Sequence, residues 1–227
     1  MARSPESKGF CSFCGTVVTR RGLAKHLEQC PDWQHQLQAA ESGKQRVETL
    51  WHLRVRDAYL KIFWLELEMA GPAALYHLDN YLRAIWLECC NHLSAFETTG
   101  RDGMEIDMDL KADAVFQKGL KLRHLYDFGT TSLTDVSVIG SRSGKRIGKH
   151  PITLLARNAL PETSCQVCGQ PAGWLCIQCL YEGDETGCLC DEHVEGHPHD
   201  DYGEPVRIYN SPRTGMCGYN GPAEPPY

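Results

Sequence analysis

The cysteines set the tightest limit on what this chain can fold into. Twelve fall in 227 residues, about 5%, above ordinary usage and below the roughly 8–10% of a small disulfide scaffold. They are also clustered. Cys11, Cys14 and Cys30 lie near the start, Cys165, Cys168, Cys176, Cys179, Cys188 and Cys190 lie together far downstream, and Cys89, Cys90 and Cys217 stand apart. In a reducing compartment such clusters are metal ligands more often than disulfides, so zinc is the first expectation.

The first cluster reads Cys11-x2-Cys14-x11-His26-x3-Cys30. Zinc takes four thiolate or imidazole ligands at tetrahedral corners. A tight Cys-x2-Cys turn supplies two of them, and a helix supplies His26 and Cys30, whose spacing of four residues puts them on one face. Gly15 suits the left-handed turn behind the knuckle. The spacing is similar to that of single CCHC fingers, and four protein ligands leave no corner for a catalytic water.

The second cluster runs Cys165-x2-Cys168-x7-Cys176-x2-Cys179-x8-Cys188-x-Cys190-x2-His193-x3-His197-x-His199. It offers one ligand more than two tetrahedral ions need. The spacing resembles cross-braced modules of the B-box and MYND types, in which the first and third ligand pairs share one ion and the second and fourth share the other. That resemblance implies Cys165, Cys168, Cys190 and His193 at one site and Cys176, Cys179, His197 and His199 at the other, with Cys188 left over. A single-zinc ribbon on the four cysteines of the two Cys-x2-Cys knuckles is the rival arrangement. In both cases a segment with so few aliphatics relies on its metal for folding free energy. Three zinc ions per chain are expected.

Between these ends the pattern is that of an α+β domain. Trp51, Leu53 and Val55 alternate with His52, Arg54 and Arg56, and Phe63, Leu65, Leu67 and Met69 alternate with Glu66 and Glu68, which predicts two half-buried strands. Leu75, Leu78, Leu82, Ile85, Cys89 and Leu93 then advance by three and four residues, which predicts one long amphipathic helix. On that helix Cys89 belongs to the apolar stripe, and Cys90 cannot face Glu88 or His92 as a nucleophile would face its base. Further strands are expected at His92–Thr98, Leu120–Phe128, Leu133–Ile139 and Ile152–Ala156, giving a mainly antiparallel sheet. His52, His77, His92, His124 and His150 form no ligand-spaced set. The expected division is a finger at 8–31, a connector at 32–47, the α+β domain at 48–160, a double-zinc module at 161–204 and a tail at 205–227.

The net charge of -6 argues against a chain coated in basic charge, yet the ends differ. Residues 1–30 carry Arg3, Lys8, Arg20, Arg21 and Lys25 against Glu6 and Glu28. From Glu182 to Glu204 there are acids and no Lys or Arg. Arg20, Arg21 and Lys25, on or beside the finger's helix, are candidate nucleic-acid contacts. The Arg142, Lys145, Arg146 and Lys149 group reads as a solvated loop. The most apolar stretch, Trp51 to Ala70, is broken by charges well short of a membrane span, and the first residues lack the apolar core of a secretory signal. A cytoplasmic location is expected.

The run into LSAFETTG and on through FQKGLKLRHLYDFGTTSLTDVSVIG resembles the pRiA4b ORF-3-like family of prokaryotic plasmid- and transposon-associated proteins. His92, Leu93 and Phe96 match its first motif, and Tyr126, Asp127, Phe128 and Gly129 its second; Thr130, Thr131 and Ser132 stand where the family carries Asp and Trp. The resemblance covers about residues 48 to 157, implies an α+β fold and makes the zinc-binding ends additions; the closing SPRTGMCGYNG looks like the tail of a zinc-bearing subgroup. With closed zinc sites and no catalytic motif, the expected function is a non-enzymatic zinc-binding adaptor with a protein partner, and with nucleic-acid contact through the finger as its sharper form. No small-molecule substrate is evident. The alternative is an enzyme using a cleft where Tyr126, Asp127, His124, Cys90 and His92 converge.

Overall fold

The computed structural model describes residues 7–100, 103–183, 185–199, 201–225 and 227. Arg3, Glu6, Asp184 and Asp200, which enter the charge balance of the two ends, lie outside the described residues. The chain begins with β1 (Lys8–Cys11), β2 (Val17–Thr19), α1 (Leu23–Gln29) and α2 (Pro31–Glu41), the last occupying most of the connector. There follow β3 (Glu48–Asp57), β4 (Trp64–Ala70), α3 (Tyr76–Leu82), β5 (Ser94–Thr98), β6 (Glu105–Ile106) and α4 (Ala112–Val115). After these come β7 (Lys121–Tyr126), β8 (Ser132–Gly144) and β9 (Ile152–Asn158). A small distal part holds β10 (Trp174–Leu175), α5 (Ile177–Glu182), β11 (Cys188–Leu189), α6 (Asp191–Val194) and β12 (Val206–Arg207).

The fold is mixed α and β, with a large antiparallel sheet and few helices. Nine strands lie in the order β2-β1-β9-β4-β3-β8-β7-β5-β6, every neighbouring pair antiparallel. On one face Leu53, Val55, Leu65, Leu67 and Met69 pack against Leu78, Leu82, Ile85 and Trp86 of the helical segment. This is the period-two pattern meeting the apolar stripe of a helix.

The long helix expected through Leu93 is not what forms. α3 passes into a single π-helical turn at Arg83–Leu87 and stops, with the Glu88 amide donating to the Arg83 carbonyl at 2.8 Å. The wider turn breaks the 3.6-residue period, and Glu88 closes it by accepting from Arg83 Nε at 2.7 Å. Leu93, read as part of the stripe, is 75% exposed. Residues 88–93 form an irregular turn in which Asn91 has φ 59°.

The other face of β4 is covered as well. Trp64, Glu66 and Glu68, which alternate with the core-facing residues, are all buried. Trp64 joins Cys11, Val18, Leu23, Leu27, Cys30 and Trp33 of the N-terminal segment in a second core. Gly9 permits the approach: a Cβ there would sit 2.1 Å from the Arg157 carbonyl and 2.5 Å from the Trp64 ring. The two carboxylates are satisfied in place. Glu66 accepts from Arg54 Nε at 2.5 Å and lies 2.6 Å from His52 Nε2, while Arg142 binds Glu68 through two hydrogen bonds of 2.7 and 2.6 Å. Residues 8–31 thus share both a sheet and a core with 48–160.

The last residues return to the helical segment that packs on the central sheet. Ser211 Oγ donates to the Trp86 carbonyl at 2.6 Å, the Ala223 amide donates to Ala84 at 2.8 Å, and the Tyr227 ring lies 5.3 Å from that of Tyr81. No helix among the described residues is long and apolar enough to cross a membrane. Because Trp64 supports the sheet and the finger together, Trp64→Ala should cost about 3–5 kcal/mol of stability, read as a lowered urea midpoint in equilibrium unfolding.

Candidate metal centres

Two of the knuckles have the same backbone design. In Cys11-x2-Cys14-Gly15 the Gly15 amide donates to the Cys11 carbonyl at 2.9 Å, and in Cys165-x2-Cys168-Gly169 the Gly169 amide donates to Cys165 at 2.9 Å. Both glycines are left-handed, with φ of 69° and 73°, a conformation that only glycine adopts without strain. The turn throws both sulfurs to one side.

At the N-terminal site Cys11 ends β1, His26 lies on α1, and Cys30 sits between α1 and α2, where Pro31 starts the second helix. Cys14 Sγ lies 3.3 Å from His26 Nε2, and the four ligand atoms lie within 4.8 Å of one another. Burial pushes the Cys11 thiol up to about 11. Hydrogen bonding to the Thr16 hydroxyl and amide holds the less buried Cys14 down to about 6, the direction that favours the thiolate form of a metal ligand.

The distal segment gathers its residues in two interleaved sets, Cys165, Cys168, Cys190 and His193, and Cys176, Cys179, His197 and His199. In the first, Cys190 Sγ is 3.7 Å from Cys168 Sγ and 3.1 Å from His193 Nδ1. In the second, Cys179 Sγ is 3.4 Å from His197 Nε2 and 3.1 Å from His199 Nδ1, and Cys176 caps α5 by accepting from the Cys179 amide. With zinc–sulfur bonds of roughly 2.3 Å, a tetrahedron has edges of about 3.8 Å, so these spacings match the donor set. Cys188 is in neither group; its Sγ lies 3.7 Å from the Thr186 carbonyl. Apart from Cys176, Cys179, Leu189 and their neighbours Trp174 and Val194 there is little apolar core here.

A fourth set, Cys89, Cys90, His92 and Cys217, also lies within 4.8 Å, so four clusters of cysteine and histidine among the described residues could hold metal ions. This one is absent from the sequence expectations, which put Cys89 on a helical stripe and His92 in no ligand set. The helix stops before Cys89, so helical geometry does not govern Cys90 and His92. Cys90 Sγ lies 3.3 Å from Cys217 Sγ, 127 residues away. The available signal was a Cys-Cys-x-His run together with a lone cysteine in the SPRTGMCGYNG tail.

The residues of the enzymatic alternative gather only in part. Cys90, His92, Tyr126 and Asp127 are neighbours: His92 Nε2 lies 3.6 Å from Asp127, and the rings of His92 and Tyr126 are 5.8 Å apart. His124 and Tyr126 are fully buried, and His124 is locked to Asp79 at 2.7 Å, so these five do not form a solvent-facing set.

Arg20 and Arg21 line a cleft of about 360 Å³ together with Arg54, Arg56, Lys121 and Asp135. It lies where the finger meets the sheet, and Arg54 Nη2 donates across it to the Arg20 carbonyl at 3.3 Å. Lys25, exposed on α1, is not part of the lining. Arg142, Lys145 and Arg146 are engaged by Glu68, by the Glu41 and Gly43 carbonyls, and by Glu48.

No family model matches the chain, and no curated protein matches it. Among solved structures, it is similar to a protein of unknown function, MM3350 from Methanosarcina mazei Go1, at 18% identity and a TM-score of 0.41 over 48% of this chain and 69% of that one. A likeness at that level carries no argument about fold or function.

The distal geometry separates two neighbouring cysteines. Cys190→Ser should lower bound zinc by one ion per chain and depress the thermal midpoint. Cys188→Ser should leave both unchanged, as read by metal analysis and thermal melting of the two variants.

Proposed function

We propose that the protein is a non-enzymatic zinc-binding adaptor, shaped by zinc at the N-terminal finger and at both distal sites, and that it contacts the phosphate backbone of nucleic acid through the basic cleft between finger and sheet. The donor sets fit zinc: thiolates and imidazoles in fours suit that ion and not the oxygen-seeking magnesium or calcium. With every corner supplied by protein, the ions hold structure and leave the binding to side chains.

The cleft is the observation that carries the reading. Four arginines and Lys121 line it against the single acid Asp135. Part of that charge is engaged, since Arg54 is paired with Glu66 and Arg56 with Asp135 at 3.4 Å and Arg20 and Arg21 have partners of their own. The lining still holds five cationic side chains against one acid, and guanidinium groups match phosphate geometry. At the other end Glu182, Glu185, Asp191, Glu192, Glu195 and Asp201 are all exposed. They would repel a polyanion and suit a protein partner instead, so the two ends of the adaptor take partners of different charge. The reading includes a central domain of the pRiA4b ORF-3-like kind and a reducing, cytoplasmic setting that keeps the thiols available.

Affinity for a short duplex should fall linearly on a log–log plot against salt, with a slope of roughly -3 to -4 for about four neutralised phosphates. Lys121→Ala should flatten that slope by about one without altering zinc content. Fluorescence anisotropy over a salt series measures both. Binding that persists at high salt would move the contact elsewhere, and no binding at low salt would leave only the protein-adaptor part of the reading.

A further inference from the structure

From the fourth cluster we propose a zinc site of a different kind, one that staples the C-terminal tail to the central domain through Cys89, Cys90, His92 and Cys217. It goes beyond the adaptor reading and does not depend on it. The donor set is three sulfurs and one imidazole nitrogen. Cys217 Sγ is the hub, 3.3 Å from Cys90 Sγ and 3.5 Å from His92 Nε2, close to the edges of about 3.8 Å of a zinc–thiolate tetrahedron. On binding, the three thiols give up their protons to solvent and His92 coordinates in its neutral form.

The backbone points independently to the same place. Among the described residues, the non-glycine residues at positive φ are Asn91 at 59°, Asp127 at 64° and Cys217 at 52°. One lies between two of the ligands, one lies against His92, and one is itself a ligand. Strained backbone of this kind persists where surrounding contacts over-determine it, and it collects at functional sites. An outer contact is in place too. The fully buried guanidinium of Arg213 donates from Nη2 to Cys89 Sγ at 3.5 Å and to Asp127 Oδ2 at 2.5 Å, the type of hydrogen bond that orients metal ligands.

The span of this site sets it apart. The other three clusters close stretches running from Cys11 to Cys30, from Cys165 to His193 and from Cys176 to His199, whereas this one joins the end of the helical segment to a cysteine near the end of the chain. Cys90 and Cys217 are exposed, so the ion can be reached by chelators. Losing it would loosen the tail around Cys217, which Arg213 and Ser211 still hold nearby, without dissolving a module. The competing chemistry for two sulfurs this close is a Cys90–Cys217 disulfide.

The test compares zinc per chain in the reduced full-length protein and in Cys217→Gly. Glycine suits φ 52° without strain, so the variant removes a ligand and leaves the fold intact. The expected result is one zinc fewer in Cys217→Gly, with faster amide exchange confined to residues 208–219. Equal zinc in the two proteins would overturn the proposal. So would a thiol count two short in denatured, chelator-treated wild-type protein purified without reductant and absent from Cys217→Gly, which would mean that Cys90 and Cys217 are held as a disulfide. Because the readout is a difference at one residue, it stands or falls whatever the total at the other three clusters.

Discussion

Strand β4 has no solvent face, and much of the molecule follows from that. One side carries Leu65, Leu67 and Met69 into the main core, and the other carries Trp64, Glu66 and Glu68 under the N-terminal segment. That cover is a short piece of chain with few apolar residues, and it gathers Cys11, Cys14, His26 and Cys30 into a cluster that could hold a metal ion. Two of these, Cys11 and Cys30, are also among the most buried residues of the second core. The cluster and the packing therefore share residues at this position. A change at the finger's ligands acts on the central sheet through Trp64.

The opposite end is built on another balance. The distal segment has a sheet of three two-residue strands and a small apolar cluster, far less than a domain of that size needs to fold unaided. Its two interleaved sets of cysteine and histidine, which could hold metal ions, each gather residues distant in the segment. The tail then leaves this segment and returns to the sheet, where Arg213 donates to Asp127, to the Thr130 carbonyl and to the Ser132 hydroxyl.

The strands of the sheet were legible because a period of two is a local property, and the knuckles were legible because ligand spacing is local as well. What could not be read were the features set by distant residues. Glu66 and Glu68 look like the solvent face of a strand, since nothing near them announces that Arg54 and Arg142 will satisfy them beneath a finger. The helix looked longer than it is because Cys89 and Leu93 continue its spacing, while the π turn that ends it is closed by Arg83 and Glu88. His124 gave no sign of its buried pairing with Asp79, and the meeting of Cys217 with Cys90 depends on the whole path of the tail. The basic cleft was half visible: Arg20 and Arg21 stood out by charge, whereas Arg54, Arg56 and Lys121 belong to strands that only the folded sheet brings beside them.

The order of the sheet has one more implication. β1 and β2 stand outside β9 and cap that side of an otherwise continuous ladder. β1 holds its place through three paired residues, Gly9, Phe10 and Cys11, of which the last belongs to a cluster that could hold a metal ion. Were the finger to let go, the Ala156–Asn158 end of β9 would present unpaired amides and carbonyls and the Trp64 ring, now buried, would be uncovered beside it, a ready template for another chain. The segment that carries the first cysteine cluster thus covers a sheet edge that would otherwise be open to pairing with another chain.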